Sequence, residues 1–219
     1  MKIRFIILTA LFLISEFGFA LPLLESQEIS APFQHSKYGM SWHHCIPYST
    51  LRDFWNSLGE LNPGVPSKTR RVTQNYMDLI GLNPYQKKLV IDSDELSGKE
   101  YDNWLEKMVW QSYNLDEGPN PNEREDDPGN KLDLFKNKTR MDHKIWDLQI
   151  KVTNLYGAMH QLIDAVEIND DVEIEKALDS CLSAIKAMQQ VKKSSRNKVR
   201  YYDESLWSFH LKTKRYKRR

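Results

Sequence analysis

Met141, Ile145, Leu148, Val152, Leu155, Met159, Leu162 and Val166 recur at steps of 4, 3, 4, 3, 4, 3 and 4. No other stretch of the chain limits its fold so strongly. A 4,3 alternation places every one of these side chains on a single stripe of a helix about 39 Å long, because an α-helix rises about 1.5 Å per residue and turns once in 3.6. Tyr156 and Ile163 stand beside the stripe and widen it toward the broader apolar face of a globular bundle. Asn169-Asp170-Asp171 interrupts the pattern, and Ile174, Leu178, Cys181, Ile185 and Met188 then resume it. Thr139 with Asp142, and Asp170 with Glu173, read as caps for the two helix starts. So short a connection makes the two helices antiparallel, and their stripes face each other.

A two-helix hairpin leaves half of each stripe wet and needs further helices to cover it. Three candidates lie upstream. Thr50 to Leu58 offers Leu51, Phe54, Trp55 and Leu58 before Gly59, and Thr73 to Ile80 offers Tyr76, Met77 and Ile80 before Gly81. From Ser97, read as capping with Glu100, a third runs to about Asn114 with Tyr101, Trp104, Leu105, Met108 and Val109 on one face. Only Lys88 to Asp92 reads as a strand. The expected fold class is all-α: an irregular helical bundle with a C-terminal antiparallel helical hairpin.

The start of the chain bears on compartment. Met1-Lys-Ile-Arg4, the apolar run from Phe5 to Ile14, and Gly18-Phe19-Ala20 form the charged, apolar and small-residue parts of a secretory signal peptide, with cleavage expected before Leu21. No later run approaches the roughly 18 apolar residues of a membrane span. The expected organisation is a signal at 1–20, an N-terminal helical region at 21–115, an acidic Pro/Gly-rich linker at 116–130, the hairpin at 131–191 and a basic tail at 192–219. Charge is polarised: 13 acidic and 4 basic residues lie between Asp92 and Asp133, against 11 basic and 2 acidic from Lys192 to Arg219. Separation of this kind marks a surface that meets something charged.

Cys45 and Cys181 are the two cysteines, and an oxidising destination favours their pairing. Asn137-Lys138-Thr139 is a glycosylation acceptor in the same pathway. Signatures of catalysis are missing: there is no Gly-rich phosphate loop, no His-Glu-x-x-His pair, no Gly-x-Ser-x-Gly elbow and no Cys-x-x-Cys. Asp92 and Asp94 begin a calcium-loop pattern that Leu96, Ser97 and Asn103 break at the fifth, sixth and twelfth positions. His43 and His44 are adjacent and point apart on an extended segment, so they make a poor metal pair even beside Cys45. His143 with Asp147, and His160 with Asp164, fall on outer positions of the long helix, where polar pairs belong. No cofactor is expected. Trp146 and Ile150, four apart on the side away from the seam, either pack under the N-terminal helices, the favoured reading, or anchor a partner.

The basic tail ends in Lys212, Lys214, Arg215, Lys217, Arg218 and Arg219, after Tyr201, Tyr202, Trp207 and Phe209. Basic and aromatic residues together suit a polyanion or nucleic acid, a nuclear-import signal, or simple solubilisation. An export signal at one end and an import-like cluster at the other resemble the general plan of secreted effectors of fungal plant pathogens. That resemblance is one of layout, and it implies binding to a host protein or nucleic acid rather than catalysis. The expected protein is therefore secreted, extracellular or in the nucleus of a recipient cell, and non-enzymatic, with a protein partner on its helical face. Two alternatives stand beside it: a precursor cut at Arg70-Arg71, Lys87-Lys88, Lys192-Lys193 or Lys214-Arg215, and a secreted enzyme of unfamiliar type using His43, His44, His143 or His160.

Overall fold

The structure is a computed structural model that describes residues 21–25, 40–44, 46–61, 66–92, 95–111, 115–119, 143–194, 207–213 and 215–218. Six helices lie among them: α1 (Tyr48–Leu61), α2 (Pro66–Leu79), α3 (Pro84–Ile91), α4 (Gly98–Val109), α5 (His143–Glu167) and α6 (Asp171–Ser194). The fold is all-α, with two short antiparallel ribbons appended. In one, β1 (Met40–His44) pairs with β2 (Leu115–Pro119), Met40 opposite Pro119 and His44 opposite Leu115. In the other, β3 (Trp207–His210) pairs with β4 (Arg215–Arg218), Trp207 opposite Arg218.

The heptad stripe becomes the middle of the core. Val152, Leu155, Met159 and Leu162 of α5 are buried, and so are Ile174, Leu178, Cys181, Ile185 and Met188 of α6. Ala158, Ala165, Ala177 and Ala184 are buried beside them and let the two backbones approach. Cover for the hairpin comes from the N-terminal half: α1 lies along α5, and α2 lies along α6. Leu51, Phe54, Trp55 and Leu58 bury one face of α1; Val72, Tyr76, Met77 and Ile80 do so for α2 and the turn after it. Among the described residues, the stripe from Val152 to Leu162 is thus satisfied inside one chain. Polar bonds fix the sliding of these layers: Gln189 Nε2 donates to Asn75 O at 2.8 Å, and Lys68 reaches both Glu175 at 2.5 Å and Asp179 at 2.9 Å. Such exposed ion pairs add little stability but oppose wrong registers.

Local chemistry explains the helix ends. Gly81, at φ 83°, closes α2 with Leu82 N donating back to Met77 O at 3.0 Å, the six-to-one bond of a left-handed C-terminal cap. Asn83 and Gln86 then exchange side-chain and backbone bonds at 2.9 and 3.1 Å, with Pro84 in the first turn, and start α3. Residues 88–92, expected as a strand, consequently lie in α3 and its cap; the box and the burial of Leu89 and Val90 outweigh the β preference of a short apolar run. At α4, Ser97 occupies the N-cap position but its hydroxyl makes no capping bond, so the expected box with Glu100 is not formed. That helix stops at Val109, five residues before the expected end near Asn114, and Trp110 N caps it through Glu106 O at 2.8 Å.

Three further expectations need correction. Residues 115–119, placed in or beside a linker, form β2 and pair with β1, a short ribbon whose edge tolerates Pro119. The tail is no featureless coil. α6 continues to Ser194, and 207–210 with 215–218 form a hairpin around a turn at 211–213, as the alternation of aromatic with polar residues in Trp207-Ser-Phe-His210 permits. Finally, Cys181 is a free, buried thiol that donates to Ala158 O at 3.2 Å, so the expected disulfide with Cys45 is absent. Its place on the inward stripe of α6 explains why: a bridging cysteine would have to enter the seam between α5 and α6. Cys45, Asn137 and the Thr139–Asp142 cap lie outside the described residues.

Leu155 of α5 is fully buried in the core. Leu155→Ala is expected to cost about 2–5 kcal/mol of unfolding free energy through lost transfer energy and a residual cavity, measured by urea denaturation. The thiol gives a second check. Burial pushes Cys181 from 9.0 up to about 12, so the folded state holds its proton more tightly than the unfolded state does. Stability contributed by the protonated thiol is present below pH 9.0 and lost as pH rises toward about 12. At about pH 8, iodoacetamide is expected to label Cys181 only after unfolding, as mapped by peptide mass, because reaction requires an accessible thiolate.

Candidate protein-binding site

The turn between α5 and α6 is built by two residues. Asn169 adopts φ 54°, a left-handed conformation that asparagine tolerates, and Asp170 N returns to Ala165 O at 3.3 Å to close α5. The Asp170 carboxylate then accepts from Val172 N at 2.9 Å and Glu173 N at 3.1 Å and starts α6. A negative charge at a helix N-terminus is favoured by the dipole as well. Because both helix ends are so tightly determined, the residues flanking the turn have no freedom to fold inward. Ile168 is left 66% exposed and Val172 61% exposed.

Beside them a groove of about 450 Å³ runs between the helices, lined by Gln161, Asp164, Ala165, Ile168, Glu173, Lys176, Ala177 and Ser180. Its floor is small and apolar at Ala165 and Ala177, and its walls carry hydrogen-bonding groups. Lys176 bonds Glu173 at 2.6 Å, which holds its ammonium above the ordinary lysine value. That pairing leaves Asp164, Asp170 and Asp171 to give the tip an acidic character. An apolar pair ringed by polar groups beside a shallow groove is the form of a protein-docking spot, with an anchor to desolvate and a rim to orient it.

Residues singled out in the sequence fall elsewhere. Ile150 is 42% exposed on α5, so it does not pack under the N-terminal helices as favoured. Trp146 lies on the same helix, but its side chain is outside the described residues. His44 Nε2 donates to Val109 O at 2.8 Å and its ring stacks on Trp110 at 4.5 Å, which ties the first ribbon to the end of α4. His160 contacts Thr50 Oγ1 at 3.3 Å and meets the Tyr156 ring edge-on at 4.5 Å, which ties α5 to α1. Among the described residues no three His, Cys, Asp or Glu side chains converge on a metal position. Lys212 is exposed in the turn of the second ribbon; Arg215, Lys217 and Arg218 belong to β4; Lys214 and Arg219 lie outside the described residues.

Of the basic pairs, Arg70-Arg71 lies within α2, Lys87-Lys88 within α3 and Lys192-Lys193 within α6. A helical backbone does not offer the extended form that a processing protease binds. No described helix is long and apolar enough to cross a membrane. The tip pair was missed because Asn169-Asp170-Asp171 registers in the sequence as punctuation alone; the available signal was two large apolar residues, Ile168 and Val172, outside the 4,3 stripe. No protein-family model, no curated protein and no solved structure matches the chain.

Proposed function

We propose that this is a secreted, non-enzymatic interaction protein that grips a protein partner with the tip of its helical hairpin, and that it acts as a host-directed effector. The carrying observation is the outward placement of Ile168 and Val172 by a turn with both helix ends capped. A rigid presentation of two apolar side chains costs little entropy on binding, which is what makes an anchor effective. The acidic residues around them favour a partner segment with basic groups flanking an apolar centre. The leader at 1–20 supports export, and the basic ribbon supports a second contact with a polyanion or an import address.

Ile168→Asp combined with Val172→Asp is expected to leave unfolding free energy within about 0.5 kcal/mol of the parent, as surface substitutions do. A photo-crosslinking residue at Val172 is expected to give a discrete protein adduct in recipient cells that Ile168→Asp abolishes. The same group at Gln74, on the exposed side of α2, serves as control. Equal adducts at both positions would refute the tip as the contact. For the tail, replacing Lys212, Lys214, Arg215, Lys217 and Arg218 by Gln is expected to abolish nuclear accumulation of the tagged mature chain. Accumulation that ignores the change would remove the import role.

A further inference from the structure

Residues 21–25, Leu-Pro-Leu-Leu-Glu, lie along α1 as a strap outside any helix or strand. Leu21 and Leu24 are buried while Leu23 between them is 66% exposed, so burial repeats every third residue. The main-chain contacts keep the same interval. Trp55 Nε1 donates to Pro22 O at 2.7 Å, and Tyr48 Oη donates to Glu25 O at 2.9 Å. A repeat of three is that of a polyproline II strand, whose carbonyls face outward with no internal partner and whose backbone carries little entropy to lose. Between these two contacts, Asn56 grips one residue twice: its Oδ1 accepts from Leu24 N at 3.0 Å and its Nδ2 donates to Leu24 O at 3.1 Å.

This is the way proteins read peptides rather than the way helices pack. Three side chains of one helix, Tyr48, Trp55 and Asn56, hydrogen-bond the strap's backbone, and leucines at its first and fourth positions are buried. Indole and phenol donors aimed at carbonyls three apart form the recognition mode used for extended, proline-containing ligands. Gly59 lies beside the first leucine: a Cβ there would stand 3.8 Å from that of Leu21, an ordinary van der Waals contact. Cleavage after Ala20, as the leader pattern predicts, makes Leu21 a terminal residue, and a free end peels away without breaking any helix.

We propose that this face of α1 is a peptide-binding groove that reads an extended Leu-Pro-x-Leu segment, that residues 21–25 are its ligand in cis, and that a partner segment of the same chemistry binds by displacing them. The groove is independent of the hairpin tip, and neither site requires the other.

The test uses the full mature chain and a fluorescein-labelled peptide of residues 21–27. The parent is expected to bind it weakly, because its own strap competes; Leu24→Asp in the chain, which expels the strap, is expected to bind at least ten-fold more tightly. Adding Asn56→Ala to that variant is expected to lose at least ten-fold, and a peptide carrying Leu24→Asp is expected not to bind. Equal affinities of parent and variant, or no binding by a variant with native helical circular dichroism, would overturn the proposal. Should the variant fail to fold, hydrogen exchange at the Leu24 amide of the parent decides: acceleration by excess peptide supports displacement, and unchanged protection refutes it. A parent dimer that Leu24→Asp dissolves would assign the groove to the strap of a second copy instead.

Discussion

Two antiparallel helices joined at Asn169-Asp170 bury the facing halves of their apolar stripes and leave the other halves exposed to water, and that residual surface organises the rest of the molecule. Each large apolar side chain removed from water contributes about 1.5–3 kcal/mol, so a helix laid along the open half is held by several such terms. α1 on α5 and α2 on α6 are the result, with Leu155, Met159, Leu178 and Ile185 fully buried in between. The alanines at 158, 165, 177 and 184 matter as much as the large residues, because they bring the hairpin's backbones close enough for Cys181 to bond Ala158 O. Chain connectivity follows from this demand rather than preceding it.

Around that four-helix centre, aromatic residues join the smaller pieces. Phe54 and Tyr76 meet edge-on at 5.2 Å, Trp55 and Trp104 lie 5.9 Å apart, and Tyr101 and Trp104 lie 5.4 Å apart, so α1, α2 and α4 share one aromatic seam. Such pairs contribute about 0.5–1.5 kcal/mol beyond their burial. Gln111 Nε2 donates to Tyr76 Oη at 2.8 Å and to Met108 O at 2.7 Å, which holds the end of α4 against α2. Trp55 has a second duty, since its indole N–H leaves the seam and bonds the strap at Pro22. The strap and the core are thereby coupled through one side chain.

Several readings of the chain were legible because they rest on short-range chemistry. Period, capping and glycine punctuation are local, and they locate α1, α2, α5 and α6 and the turn at Asn169. Where the sequence reading failed, a competing interaction came from elsewhere. The run at 88–92 looks β-like until the Asn83–Gln86 box, a few residues earlier, commits it to a helix. Ser97 has the right spacing to Glu100, yet its hydroxyl is not used. Pairing of Cys45 with Cys181 follows from compartment and count, but the heptad position of Cys181 turns its thiol into the seam. Neither ribbon could be read, since β1 and β2 are separated by 70 residues of helix-rich chain and two-residue alternation in so short a segment is a weak signal.

By itself the sequence determines the class of the fold, the direction of the hairpin and the position of its turn, because helical period and capping depend only on neighbours along the chain. Which apolar residues remain outside was decided by tertiary structure alone. Ile150 is exposed although it lies on the helix that α1 and α6 pack against, and Leu21 and Leu24 are buried because α1 presents Tyr48, Trp55 and Asn56 to a backbone more than 20 residues away. Burial is a property of what arrives from a distance, and spacing along a chain does not encode arrival.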